Sequence, residues 1–325
     1  MLTSRPGGRL ALSLSVMAIL GASCAPNASV AQSTPTPEAQ FLTGKGTKWE
    51  VVIKAAADVT GVALDGHGGI YLAEINADRI AEYSVAGKLI TTFGTHGSGP
   101  GQLYNPAKVA VDAQGGVYVS DNSNNRIQKF SAAGQPLAQW GGPDAGSDPG
   151  KFNFPIGMAV DAEGNLFVVD AYNYRIQKLS PQGRPVAQWS SQGSKPTPLR
   201  VPYDITLDGK GHLYVSFVHG NDGVEEFSTA GMDIGSLGDS GSDPGKFSTP
   251  TGIAVDSTGN IYVLDADNNR IQELSSSGRF VAQWAGPTGR PFVIHSEMAM
   301  DNAGNIYVSH GQLILRLCLR ATSCS

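Results

Sequence analysis

Six short runs, each ending in an aspartate, recur along this chain at almost constant spacing, and such self-similarity limits the possible folds more than any other feature. The aspartates are Asp65, Asp112, Asp161, Asp208, Asp256 and Asp301, separated by 47, 49, 47, 48 and 45 residues. Each is followed three positions later by a glycine (Gly68, Gly115, Gly164, Gly211, Gly259, Gly304). Three positions beyond that stands an aromatic: Tyr71, Tyr118, Phe167, Tyr214, Tyr262 or Tyr307. One copy reads as a meander. An apolar run makes a strand, Asp-x-x-Gly makes a tight turn, and runs such as Val117-Tyr118-Val119-Ser120 and Arg126-Ile127-Gln128-Lys129-Phe130 make the second and third strands. A Ser-x-x-Gly turn leads to a fourth, which carries Phe93, Trp140, Trp189 or Trp284. Four short strands cannot bury both faces alone, so the units stack radially. The expected fold is all-β: a six-bladed β-propeller of four-stranded antiparallel blades over residues 47–325, with the tyrosines and tryptophans wedged between blades.

The sixth copy ends soon after its third strand, whereas Lys48-Trp49-Glu50-Val51-Val52-Ile53, ahead of the first copy, is a strand without a blade. Pairing the two closes the ring and removes two exposed edges. Upstream, Arg5 and Arg9 precede an uncharged apolar stretch, residues 10–20, long enough for a signal-peptide core but too short to span a bilayer. Residues 1–23 read as a signal peptide. Leu20-Gly21-Ala22-Ser23-Cys24 is similar to a bacterial lipobox with Cys24 as the lipidated residue, and the alternative is secretion after cleavage at Ser29-Val30-Ala31. Residues 24–46, dominated by Ala, Pro, Ser, Thr and Gln, read as a flexible tether. With Cys24 lipidated, Cys318 and Cys324 remain as an even pair in an oxidising compartment and are expected to form a disulfide. The expected location is the cell envelope, through a lipid anchor and with no other membrane attachment, or else the secreted fraction.

The repeats resemble the NHL repeat family. The likeness lies in Pro155-Ile156-Gly157-Met158-Ala159-Val160-Asp161, in Asp121-Asn122-Ser123-Asn124-Asn125-Arg126-Ile127-Gln128-Lys129-Phe130, and in Gly-Ser-Asp-Pro-Gly-Lys-Phe at 146–152 and 241–247. The resemblance implies a six-bladed propeller used mainly for binding, with enzymes among related propellers. Blade four departs, reading Phe217-Val218-His219-Gly220-Asn221-Asp222-Gly223 where the family has Asp and Arg. Blade six departs with His310 at the aspartate position.

Candidate chemistry gathers where the first strands line the channel. The residues just before the six runs are Gly61, Lys108, Gly157, Asp204, Gly252 and Glu297, so blades two, four and six place one cation and two carboxylates around one opening. Lys108, Asp204 and Glu297 are candidate ligand-binding residues. Asp204, Glu297, His219 and His310 supply the oxygen and nitrogen donors that hold a divalent cation such as Ca²⁺ or Zn²⁺, although no cofactor is firmly implied. Tyr172 and Tyr174, replacing the Asn and Ser of other blades, are aromatics able to stack on a sugar or anchor a peptide. Glu74, Asp121, Asp170 and Asp265 each precede an arginine by five residues, and repetition in four blades reads as scaffold. The net charge is −5, and loss of the leader leaves 21 basic against 28 acidic residues, which argues against nucleic acid. The expected molecule is a monomeric module for a protein, peptide or glycan; the alternative is a metal-dependent hydrolase or lyase at the channel mouth.

Overall fold

The protein is described by a computed structural model covering residues 41–44, 47–190 and 200–319. The signal peptide, Cys24, the cleavage site at 29–31 and Cys324 lie outside the described residues. The described strands form six antiparallel sheets, five of them four-stranded meanders and the sixth a five-stranded sheet that joins the first strands of the chain to the last. Blade two is typical, with Pro106–Val111, Val117–Asp121, Arg126–Phe130 and Pro136–Gly141 running outward from the axis.

The recurring Asp-x-x-Gly-x-x-Tyr spacing is one hydrogen-bonded unit. In blade two, Asp112 Oδ1 accepts the amides of Gln114 (3.0 Å) and Gly116 (2.6 Å), while the Tyr118 hydroxyl donates to Oδ2 at 3.2 Å. Tyr262 and Tyr307 reach Asp256 and Asp301 in the same way. A six-residue offset is what lets one carboxylate shape the turn and receive the tyrosine on the next strand.

Six apolar clusters occupy the six junctions between blades, and each contains the repeat aromatic of one blade packed against the inner strands of the next. The outer aromatics work between blades as well. Trp140 stacks near Tyr118 with ring centroids 6.0 Å apart, and its indole covers Gly183 in the turn of blade three. Gly183 has φ +75°, and a Cβ there would overlap the indole at 1.5 Å, so this turn requires glycine on both counts.

The Asp–Arg pairs fasten the connections between blades. Arg126 donates from Nε to Asp121 (2.6 Å) and from its two terminal nitrogens to the carbonyls of Ser98, Gly99 and Gln102 in the incoming linker. Asp121 accepts the amide of Tyr104 from that linker at 2.7 Å. Arg175 with Asp170 and Arg270 with Asp265 make the corresponding bonds. Blade four reaches a similar end by another route. Phe217 stands at the Asp position and Gly223 at the Arg position, and Arg200, entering from the linker, pairs with buried Glu225 while its guanidinium lies 4.3 Å from the Phe217 ring.

Thr47–Lys54 closes the ring by pairing with Leu313–Cys318, with Glu50 opposite Arg316 and Lys54 opposite Leu313. Trp49 is fully buried there, its Nε1 donating to the Ala285 carbonyl at 2.9 Å and its ring edge-on to Phe292. Phe41–Gly44, placed in the tether on composition, instead adds a fifth strand outside Thr47–Lys54. Backbone pairing with an open edge needs no apolar pattern, which is why composition does not reveal it. Cys318 is disulfide-bonded, and Cys324, its expected partner, is outside the described residues. Deleting residues 47–54 is expected to abolish cooperative thermal unfolding, since it opens the last blade and uncovers the Trp49 cluster; a sigmoidal melt at the wild-type midpoint would contradict this closure.

Candidate functional site

Crowding at the axis sets the geometry of the channel. Gly61, Gly157 and Gly252 each face the backbone of the next blade so closely that a Cβ would sit 2.9 Å from the Lys108 Cα, 2.9 Å from the Asp204 Cα, or 3.0 Å from the Met298 amide nitrogen. Odd-numbered blades therefore carry glycine, and even-numbered blades fill the space with Lys108, Asp204 and Glu297. The first strands of blades one to five all shift register at this position, as between Pro106 and Val109, Pro155 and Met158, and Pro202 and Ile205. A bulge removes an amide from the ladder. The even blades satisfy it with a serine twelve residues on: the amides of Lys108, Asp204 and Glu297 donate to the hydroxyls of Ser120 (2.8 Å), Ser216 (3.1 Å) and Ser309 (2.8 Å). The odd blades carry Ala73, Val169 and Leu264 at those second-strand positions.

The three charged side chains meet. Lys108 Nζ donates to Asp204 Oδ1 at 2.7 Å and to Glu297 Oε2, while Asp204 Oδ2 accepts the amide of Ile253 at 3.1 Å. All three are buried, with Asp204 at 0% exposure, so this is a desolvated ion cluster and not a solvated rim. Burial opposes the charge on Lys108, but the two carboxylates outweigh it and hold the ammonium above its ordinary range. Burial pushes Glu297 well above the ordinary carboxylate value, the charge of Asp204 adds to the rise, and Lys108 only partly offsets it. A raised Glu297 pKa lessens the excess of negative charge that two carboxyls set against one ammonium. Tyr203 donates its hydroxyl to the Ile294 carbonyl, and burial together with the Glu297 and Asp204 charges raises its pKa.

Of the expected metal ligands, Asp204 and Glu297 meet at Lys108, and His219 and His310 do not join them. His219 is exposed on a loop in the left-handed region (φ +60°), and no group of three or more His, Cys, Asp or Glu among the described residues is arranged to hold a metal ion. The positive charge beside Asp204 and Glu297 is the Lys108 ammonium itself. His310 is nine-tenths buried and edge-on to Phe292 (6.1 Å), and its Nδ1 has no hydrogen-bond partner.

Tyr172 and Tyr174 lie at the junction of blades three and four. Both are half-buried against the core joining blades three and four. Tyr172 stacks face to face on Phe154 (4.6 Å, 6°) with its hydroxyl buried, and Tyr174 ends a single 3-10 turn at φ +51°. Both side chains pack at this junction and remain partly exposed. Sequence reasoning missed Tyr203 and the three serines, yet the serines carry a readable signal: a hydroxyl twelve residues after each charged channel residue and an apolar residue after each glycine.

A family model described as NHL repeat matches residues 103–130, 152–179 and 247–274. Blades two, three and five carry NHL repeats. Each matched segment spans the end of a linker and the first three strands, where the Asp–Arg clamp lies. A search of curated proteins returns no match. Among solved structures, the chain is similar to a gluconolactonase from Xanthomonas campestris (16% identity, TM-score 0.65, covering 90% of this chain and 99% of that one). It is similar also to a streptogramin B lyase (15%, 0.61, 84% and 97%) and to virginiamycin B lyase from Staphylococcus aureus (14%, 0.58, 87% and 99%). At these identities the likeness is one of fold.

Two results are expected from the cluster. Lys108→Met, which leaves two buried carboxyls without their cation, should cost about 3–5 kcal/mol at neutral pH in urea unfolding, and adding Asp204→Asn and Glu297→Gln should recover most of it. Because the folded-state pKa of Glu297 is raised, its contribution is fully present below the ordinary value of 4.5 and is lost as pH rises through the folded value. Wild type should therefore lose stability relative to Glu297→Gln across that range, and a difference constant with pH would contradict the assignment.

Proposed function

We propose that this protein is a non-catalytic binding propeller, exported from the cytoplasm and held at the cell envelope by lipidated Cys24, presenting the channel-mouth face to a protein, peptide or glycan. The observation that carries the reading is the Lys108–Asp204–Glu297 cluster. Both of its carboxyl groups are engaged by the Lys108 ammonium, which stands where a metal would otherwise sit. The Asp–Arg pairs, the other recurrent charged groups, are engaged with linker backbone and support the scaffold. Leader composition and the acidic balance support export and argue against a nucleic-acid partner.

A second reading, a metal-dependent hydrolase or lyase, draws on one observation: Asp204 and Glu297 converge, buried, at the axis of a fold shared with a gluconolactonase and two lyases. In that case a divalent cation would take the place of the Lys108 ammonium. Metal analysis of purified protein separates the two. The binding reading expects less than stoichiometric metal and no saturable heat on titration with Ca²⁺ or Zn²⁺; one tightly held equivalent, lost in Asp204→Ala/Glu297→Ala, would favour the enzyme. Cys24→Ala is expected to move the protein from the membrane to the soluble fraction, and unchanged membrane recovery would contradict lipidation.

A further inference from the structure

Blade six lacks the Asp–Arg clamp, and the space it would fill is open. In blades two, three and five the guanidinium bridges the blade to the incoming linker. In blade six, His310 holds the aspartate position and faces Leu313 across the turn, so neither clamp residue is present. An open cleft of about 640 Å³ lies there, at the seam where the closing strand meets the ring. It is lined by Lys54 at the end of that strand, by Asp58, by Arg290 and Val293 of the last linker, and by His310.

The charges in this cleft are unlike those of the molecule as a whole. Lys54 and Arg290 are exposed, and among the described residues neither forms an ion pair, although the protein carries a net charge of −5. The one carboxylate in the lining, Asp58, accepts a hydrogen bond from the Asn76 amide at 3.0 Å. His310, nine-tenths buried, keeps an unpartnered Nδ1. Two unpaired cations lining one cleft are complementary to a negatively charged ligand, and the His310 Nδ1, closed off from solvent, is not the atom that would meet it. The cations oppose a metal here and favour an anion. We propose that this cleft binds an anionic oxygen group, a carboxylate or a phosphate, through Lys54 and Arg290, with the His310 imidazole in its wall. Lys54 acts as a compact ammonium donor and Arg290 as a planar fork able to engage two oxygens at once. The site uses different side chains from the channel cluster.

The test is a titration of the intact protein with inorganic phosphate and, separately, with acetate, following the imidazole ¹⁵N and ¹H resonances of His310, with sodium chloride at matched ionic strength as control. Saturable shifts are expected with one or both anions and not with chloride, and the anion that saturates identifies which chemistry the cleft takes. Lys54→Ala/Arg290→Ala should weaken the binding by roughly tenfold or more while leaving the thermal midpoint in place, because both side chains are exposed. His310→Gln, followed by isothermal titration calorimetry because it has no imidazole to observe, serves as the second variant and should still show saturable heat with the same anion. Shifts that grow linearly and match those of chloride, or saturable binding undiminished in the double variant, would overturn the proposal.

Discussion

Six sheets can share one axis only if their innermost strands approach closely, and the rest of this structure follows from how that crowding is relieved. Glycine at 61, 157 and 252 lets the next blade's backbone come within van der Waals contact. The volume gained is filled by Lys108, Asp204 and Glu297 from the alternate blades. Because these side chains arrive at the axis together, they must neutralise one another, and they do so through one ammonium and two carboxyls. An isolated charge at such a depth would be far more costly than this arrangement. The amides of Lys108, Asp204 and Glu297 are taken up by the hydroxyls of Ser120, Ser216 and Ser309.

The same division between regular and irregular blades organises the outer parts. Where the repeat is kept, Asp and Arg tie each linker to its blade; where it is broken, the chain substitutes something else. Blade four imports Arg200 from the linker to meet Glu225. Blade six substitutes nothing, and a cationic cleft remains beside the closing strand. Regularity thus marks residues spent on scaffold, and the exceptions mark places where side chains are available for a ligand.

Much of this was legible in the sequence. The Asp-x-x-Gly-x-x-aromatic spacing gives the blade because one carboxylate must reach both a turn and a tyrosine, and the orphan strand at Lys48 to Ile53 gives the closure. The identity of the three channel residues was legible too, but not their burial. A sequence places side chains around an opening without saying whether that opening is wide enough for water or narrow enough for the side chains to touch. The surroundings of Tyr172 were not legible for a related reason: its ring could face solvent or a neighbouring blade, and the stack on Phe154 comes from the preceding linker. Arg200 was missed because the compensating charge comes from outside the expected register. Phe41–Gly44 was missed because edge pairing uses backbone alone.

The central claim is that the channel of this propeller is closed by a buried cluster whose charge is balanced within the protein. It is tested most directly by ¹³C NMR of the Glu297 and Asp204 carboxyl carbons, followed as a function of pH in purified, metal-free protein. The account predicts that Glu297 remains protonated well above the ordinary carboxylate range and that Lys108→Met changes its titration. If Glu297 instead titrates at the ordinary value and is indifferent to Lys108, the channel is an open, solvated site and the claim fails.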